Sequence, residues 1–132
     1  MKKICFVLFL LATPLFAQPL VSALNSLFTP MPAFAWTTTT HDFGKIRLNV
    51  PVTHEFRFTN TGDGPLIISS VQASCGCTVA DYSKDPIAPG AEGYVKATYN
   101  AARPGVFSKT ITVTANSEES VVKLIIKGEV EE

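Results

Sequence analysis

The sequence predicts an all-β domain, an immunoglobulin-like antiparallel β-sandwich of about seven strands. Three observations lead there. Short runs of β-branched and aromatic residues alternate with polar ones at period two, Gly, Pro and Asn clusters punctuate them at regular spacing, and no strong helical pattern appears after Thr37. With 132 residues and 46% hydrophobic content the chain supplies one core, not two. A small barrel is the structural alternative.

The chain opens on an export signal. Lys2 and Lys3 form a charged start, Ile4 to Ala12 an apolar run, and Thr13-Pro14-Leu15-Phe16-Ala17 an exit, which makes residues 1–17 a signal peptide. Cleavage after Ala35, where Ala33-Phe34-Ala35 fits the small-x-small rule, is the alternative. The apolar run is shorter than the roughly 20 residues a membrane span requires, so no span is expected in the mature chain. Localisation follows as periplasm or cell envelope of a Gram-negative bacterium, or secreted. Loss of Lys2 and Lys3 leaves nine basic against eleven acidic residues, a net charge of −2. With no basic cluster denser than Lys45-Ile46-Arg47, nucleic acid is excluded as a partner.

Residues 18–37 read as a linker broken by Pro19, Pro30 and Pro32, with a short docking helix over Leu20 to Phe28 as the alternative. The domain is expected over 38–132, with Trp36 outside it. His41-Asp42-Phe43-Gly44 reads as a short strand ending at the glycine. Val52 to Asn60 is a half-buried strand with Val52, His54, Phe56 and Phe58 on one face. Asn60-Thr61-Gly62-Asp63-Gly64-Pro65 is turn chemistry. Leu66 to Ala73 breaks strict alternation, which predicts a bulge near Ser69-Ser70. A short strand over Thr78 to Ala80 follows, then a connection marked by Asp85-Pro86 and Pro89-Gly90. Glu92 to Asn100 turns Val95, Ala97 and Tyr99 inward, and Val106 to Asn116 turns Phe107, Ile111, Val113 and Ala115 inward, with Thr110, Thr112 and Thr114 as an outward row. The last strand, Val121 to Val130, is apolar on both faces, which suits a central or doubly covered position.

Asp42-Phe43-Gly44, Phe56-Arg57-Phe58-Thr59-Asn60-Thr61-Gly62, Pro65-Leu66-Ile67-Ile68, Ser74-Cys75-Gly76-Cys77-Thr78, Pro89-Gly90 and the strand from Gly105 to Asn116 together resemble the bacterial DUF1573 family. That family comprises exported domains without an assigned function. The resemblance implies a fold like the immunoglobulin-like modules of major sperm protein, the PapD chaperone and the ASPM–SPD-2–Hydin group.

Between the strands lies one chemically distinctive stretch, Cys75-Gly76-Cys77. Two thiols at this spacing close a small disulfide, hold a soft metal ion, or fill space as small buried residues. A disulfide here requires a local kink, which Gly76 can supply, and its three-residue loop removes little unfolded-state entropy. For Cu(I) or Zn(II) the further ligands on offer are His54 and His41, with His54 on the inward face of its strand. Thiol redox chemistry lacks a Cys-x-x-Cys at a helix start, and local sequence supplies no neighbouring cation. Gly-x-Ser-x-Gly and phosphate-loop patterns are absent, and Asp81, Asp85, Glu118 and Glu119 read as solvated turn residues. No catalytic residue and no cofactor is therefore assigned. The expected function is a non-enzymatic interaction or structural module with another envelope protein as partner; the alternative is a thiol-dependent Cu/Zn or redox protein using Cys75 and Cys77.

Overall fold

The computed structural model describes residues 29–132, so the stretches read as a signal peptide and as a Leu20 to Phe28 docking helix lie outside the described residues. Eight strands run β1 Phe34–Trp36, β2 Thr40–Arg47, β3 Val52–Asn60, β4 Ile68–Ala73, β5 Thr78–Tyr82, β6 Glu92–Tyr99, β7 Gly105–Ala115 and β8 Val121–Glu131. They form two four-stranded sheets in the orders β1-β3-β6-β5 and β2-β8-β7-β4. The sandwich is as expected; its strand count and margins differ.

The additional strand is β1. Its inward Phe34 and Trp36 rings stack at 4.9 Å, and both meet the Phe58 ring at 4.8 Å. Burying three aromatic rings against one another outweighs the cost of ordering three more residues beside β3. Trp36 therefore belongs to the domain, which begins inside the stretch read as linker.

β2 does not stop at Gly44. Asp42 Oδ1 accepts from the Gly44 N–H at 2.8 Å, and Gly44 takes φ +68°, making a bulge after which the strand continues to Arg47. Its partner is β8, and that pairing is parallel, whereas all other pairings of these strands are antiparallel. The bulge expected in the fourth strand is present as a register shift between Ile68 and Ser70. Asp81, read as a turn residue, sits on β5. β8 is central, as expected, but only one of its faces is covered: Val122, Leu124, Ile126 and Val130 are buried while Val121 is 51% exposed.

Alternation fills the space between the sheets. Phe56, Val95, Ala97, Ile111, Val113, Leu124 and Ile126 are completely buried, and each large apolar side chain so placed contributes about 1.5–3 kcal/mol. β6 contributes Gly93, where a Cβ would lie 2.4 Å from Phe58 Cζ; the missing side chain lets the phenyl ring lie on the strand.

One polar residue shares this interior. Asn60, fully buried, accepts at Oδ1 from the N–H groups of Gly62 (3.0 Å) and Ala33 (3.2 Å) and donates from Nδ2 to the carbonyls of Gly64 (2.8 Å) and Ile87 (2.9 Å). Both amide hydrogens and two acceptor sites are used, so its burial is satisfied. Replacement by Ala strands backbone donors and acceptors from three segments. Asn60→Ala is expected to lower the unfolding free energy by about 2–4 kcal/mol, read as a drop in urea midpoint at unchanged slope.

Candidate functional site

The chain passes from the second sheet to the first through Ser74 to Cys77. Ser74 anchors the departure: its N–H donates to the Thr110 carbonyl at 2.8 Å and its Oγ accepts from the Thr110 N–H at 3.1 Å. A tight turn follows, closed by the Thr78 N–H on the Cys75 carbonyl at 3.4 Å. The turn brings the Cys75 and Cys77 Cα atoms to 5.3 Å, a separation that a disulfide spans, and the two sulfurs are joined. Gly76 is not what permits the turn. It has no positive φ, and a Cβ at this position would meet no atom within 4 Å.

A cleft of about 460 Å³ opens beside the disulfide, lined by Cys75, Cys77, Tyr99, Asn100, Arg103 and Lys109. Tyr99 is its buried wall, stacked on Phe107 with ring centroids 4.0 Å apart. Arg103 arrives from the β6–β7 connection, where Ala101 adopts φ +53° and the Asn100 side chain accepts from the Ala102 N–H at 3.1 Å. Lys109 has a more telling position. Its register partner on β8 is the buried Ile126, and its neighbours two residues away are the buried Phe107 and Ile111, so it occupies an inward site of β7. Because β4 has already left the sheet opposite Thr110, that site faces an open mouth. The aliphatic stem can lie along the core edge while the ammonium reaches the cleft. Local sequence offers the cysteines no cation, and the fold supplies two.

Beyond the turn, β5 forms a sheet margin. Among the described residues it pairs only with β6, and the Asn100 and Ser83 N–H groups donate to the Cys77 and Tyr94 carbonyls at 3.0 and 3.1 Å. In an antiparallel ladder those bonded pairs alternate, so the odd-numbered residues of β5 face β6. The Ala80 and Tyr82 N–H and C=O groups and the Thr78 carbonyl consequently point to the open side. Val79, 68% exposed, and Asp81 lie on the solvent face of this margin.

The histidines are elsewhere. His54 of β3 stacks on His41 of β2 with centroids 3.7 Å apart and planes 5° from parallel. This contact lies at the β2/β3 margin, across the sandwich from the β4/β5 margin that carries the disulfide. The structure thus brings His41 to His54 and neither to Cys75 or Cys77. Among the described residues no three His, Cys, Asp or Glu side chains gather into a metal-binding group. Thr110, Thr112 and Thr114 line up with Ser74, Gln72 and Ser70 of the neighbouring chain segment, forming a polar, partly solvated sheet face.

Burial holds the His54 imidazole below its ordinary value of 6.5, the adjacent His41 pushes the same way, and Glu55 partly offsets both. A folded-state pKa below the unfolded one means that neutral His54 contributes stability in full above the unfolded value. That contribution is lost as pH falls through the folded value. The urea midpoint is therefore expected to fall on acidification from about pH 7.5 to about pH 5, and to fall less in His54→Gln. Gly76→Ala is expected to keep the disulfide by intact mass and to change unfolding free energy by less than about 0.5 kcal/mol.

Residues 34–130 match a family described as a protein of unknown function, DUF1573. No curated protein matches. Among solved structures, a protein of unknown function from Porphyromonas gingivalis W83 superposes at a TM-score of 0.69 with 18% identity, over 79% of this chain and 50% of that one. The ASH/PapD-like domain 7 of human CEP192 gives 0.63 at 9% identity over 80% of this chain and 94% of that one. The YadV chaperone gives 0.54 at 12% identity over 75% and 52% respectively. The present chain thus spans about half the length of the first and the third. At these identities the likeness establishes the fold alone, an immunoglobulin-like sandwich.

Proposed function

The chain belongs to the DUF1573 family, and we propose that it is an exported, non-enzymatic module that binds an extended segment of another envelope protein along the open margin of β5. The observation that carries this reading is the row of backbone groups on Ala80 and Tyr82 that β6 leaves unpaired. An edge of this kind accepts a further strand through main-chain hydrogen bonds, and exposed side chains such as Val79 give the partner something to grip. The likeness in fold to the YadV chaperone and to a PapD-like domain supports a binding role over a catalytic one.

Export is supported by the charged and apolar start of the chain together with the exit at Ala17. Cleavage after Ala17 leaves β1 whole. Cleavage after Ala35 cuts β1 and removes Phe34 from the Trp36 and Phe58 rings, so the earlier point is the one we assign. No helix among the described residues is long and apolar enough to cross a membrane.

Proline is tolerated on an edge strand where its nitrogen faces away from the ladder. Ala80→Pro therefore removes an outward N–H and leaves the β6 pairing intact. In pull-downs from envelope extract, the partner retained by the native protein is expected to fall at least about tenfold with Ala80→Pro, at a melting temperature within a few degrees. Equal retention by the variant overturns the edge reading. Intact mass of the protein recovered from the envelope fraction is expected to correspond to a chain beginning at Gln18.

A further inference from the structure

We propose that the Cys75–Cys77 disulfide undergoes thiol–disulfide exchange with a small thiol that carries carboxylate groups, drawn to the cleft by Lys109 and Arg103. This stands apart from the β5 margin and does not depend on it.

Four observations carry the inference. The bond closes a loop with a sequence separation of two, so its loss returns little conformational entropy to the unfolded chain and the fold does not hold it closed. Both cysteines are half-buried, within reach of a molecule in the cleft. Among the described residues, neither Lys109 nor Arg103 forms an ion pair, so two cationic residues without an acidic partner line the cleft. Lys109 also holds an inward position between Phe107 and Ile111 beside the open mouth, so its stem follows the core edge and brings its ammonium to the cleft rather than to the outer sheet face. A cation so placed favours a thiolate over a thiol.

The geometry also orders the exchange. The Thr78 hydroxyl lies 3.9 Å from Cys75 Sγ and is the group able to donate there. The incoming thiolate bonds to Cys77 Sγ as the Cys75–Cys77 bond breaks, and the electron pair leaves on Cys75 Sγ. That thiolate is stabilised by the Thr78 O–H and the cleft cations. A second thiolate of the same class attacks the sulfur of the bound small thiol, releasing the small-molecule disulfide and leaving the electron pair on Cys77 Sγ. Two thiols are oxidised, and one protein disulfide takes up two electrons.

The test compares glutathione with cysteamine as reductants of the oxidised, purified protein, with rates expressed per thiolate and free cysteines counted by alkylation and intact mass. At low ionic strength glutathione is expected to react about tenfold faster, the scale of electrostatic attraction to two cations. The ratio is expected to fall to within about twofold in Arg103→Gln/Lys109→Gln and, for the native chain, in about 1 M NaCl. The salt arm and the single exposed change Arg103→Gln, which is expected to lower the ratio partway, keep the test valid if Lys109→Gln disturbs the core edge. Resistance of the disulfide to both thiols, its absence from protein purified without reductant, or a ratio unaltered by the substitutions and by salt overturns the proposal.

Discussion

The side chain of Asn60 is the interaction on which the margins of this sandwich depend. A β-sandwich secures its interior by alternation, but its ends are loops whose backbone groups have no ladder to join. Asn60 sits at the end of β3 and gives its amide to three of them: the approach to β1 at Ala33, the turn at Gly62 and Gly64, and the β5–β6 connection at Ile87. Its own backbone is tied to the same connection, with Asn60 N–H on the Ala91 carbonyl and Gly90 N–H on the Asn60 carbonyl. A side chain that satisfied only one of these partners would leave the others buried and unpaired, which is why an amide stands where alternation would put a hydrophobe.

With that end fixed, the opposite margin is free to carry chemistry. β4 and β5 are the edge strands of different sheets, and the chain joins them in the few residues from Ser74 to Cys77. So short a crossing has to turn sharply, and the same turn that redirects the backbone brings the two cysteines to disulfide distance. The cleft is a consequence of the crossing: β4 pairs with β7 no further than Ser74 opposite Thr110, and the cleft opens beyond that point, between Lys109 and the wall formed by Tyr99.

Alternation made the central strands readable. Val52 to Asn60, Glu92 to Asn100 and the inward residues of β7 were set by the period of the pleat, and turn residues bounded them correctly. The features that escaped depend on residues distant in sequence. β1 is too short to show a period, and its reason for existing is Phe58. β2 reads from sequence as ending at Gly44 because a bulge glycine and a terminal glycine look alike there, and its parallel partner lies at the other end of the chain. The cysteine cleft was half visible. The inward series Phe107, Ile111, Val113, Ala115 skips Lys109, and that gap in an otherwise apolar face was the local sign of a charged group turned toward an opening. Arg103 had no such sign, since its presence at the cleft follows from the path of the β6–β7 connection.

The turn and the β5 margin also divide the backbone groups between them. The Thr78 N–H would be the first outward donor of the edge, but it is held by the Cys75 carbonyl and closes the turn. What remains for a strand laid alongside begins at the Thr78 carbonyl and continues through Ala80 and Tyr82. The disulfide cleft, by contrast, is walled by side chains of β6, β7 and their connection. One segment therefore serves two surfaces without competition. The bond between Cys75 and Cys77 lies at the mouth of the sandwich and is made by side-chain sulfurs, whereas the ladder between β5 and β6, which defines the open margin, is made by backbone groups.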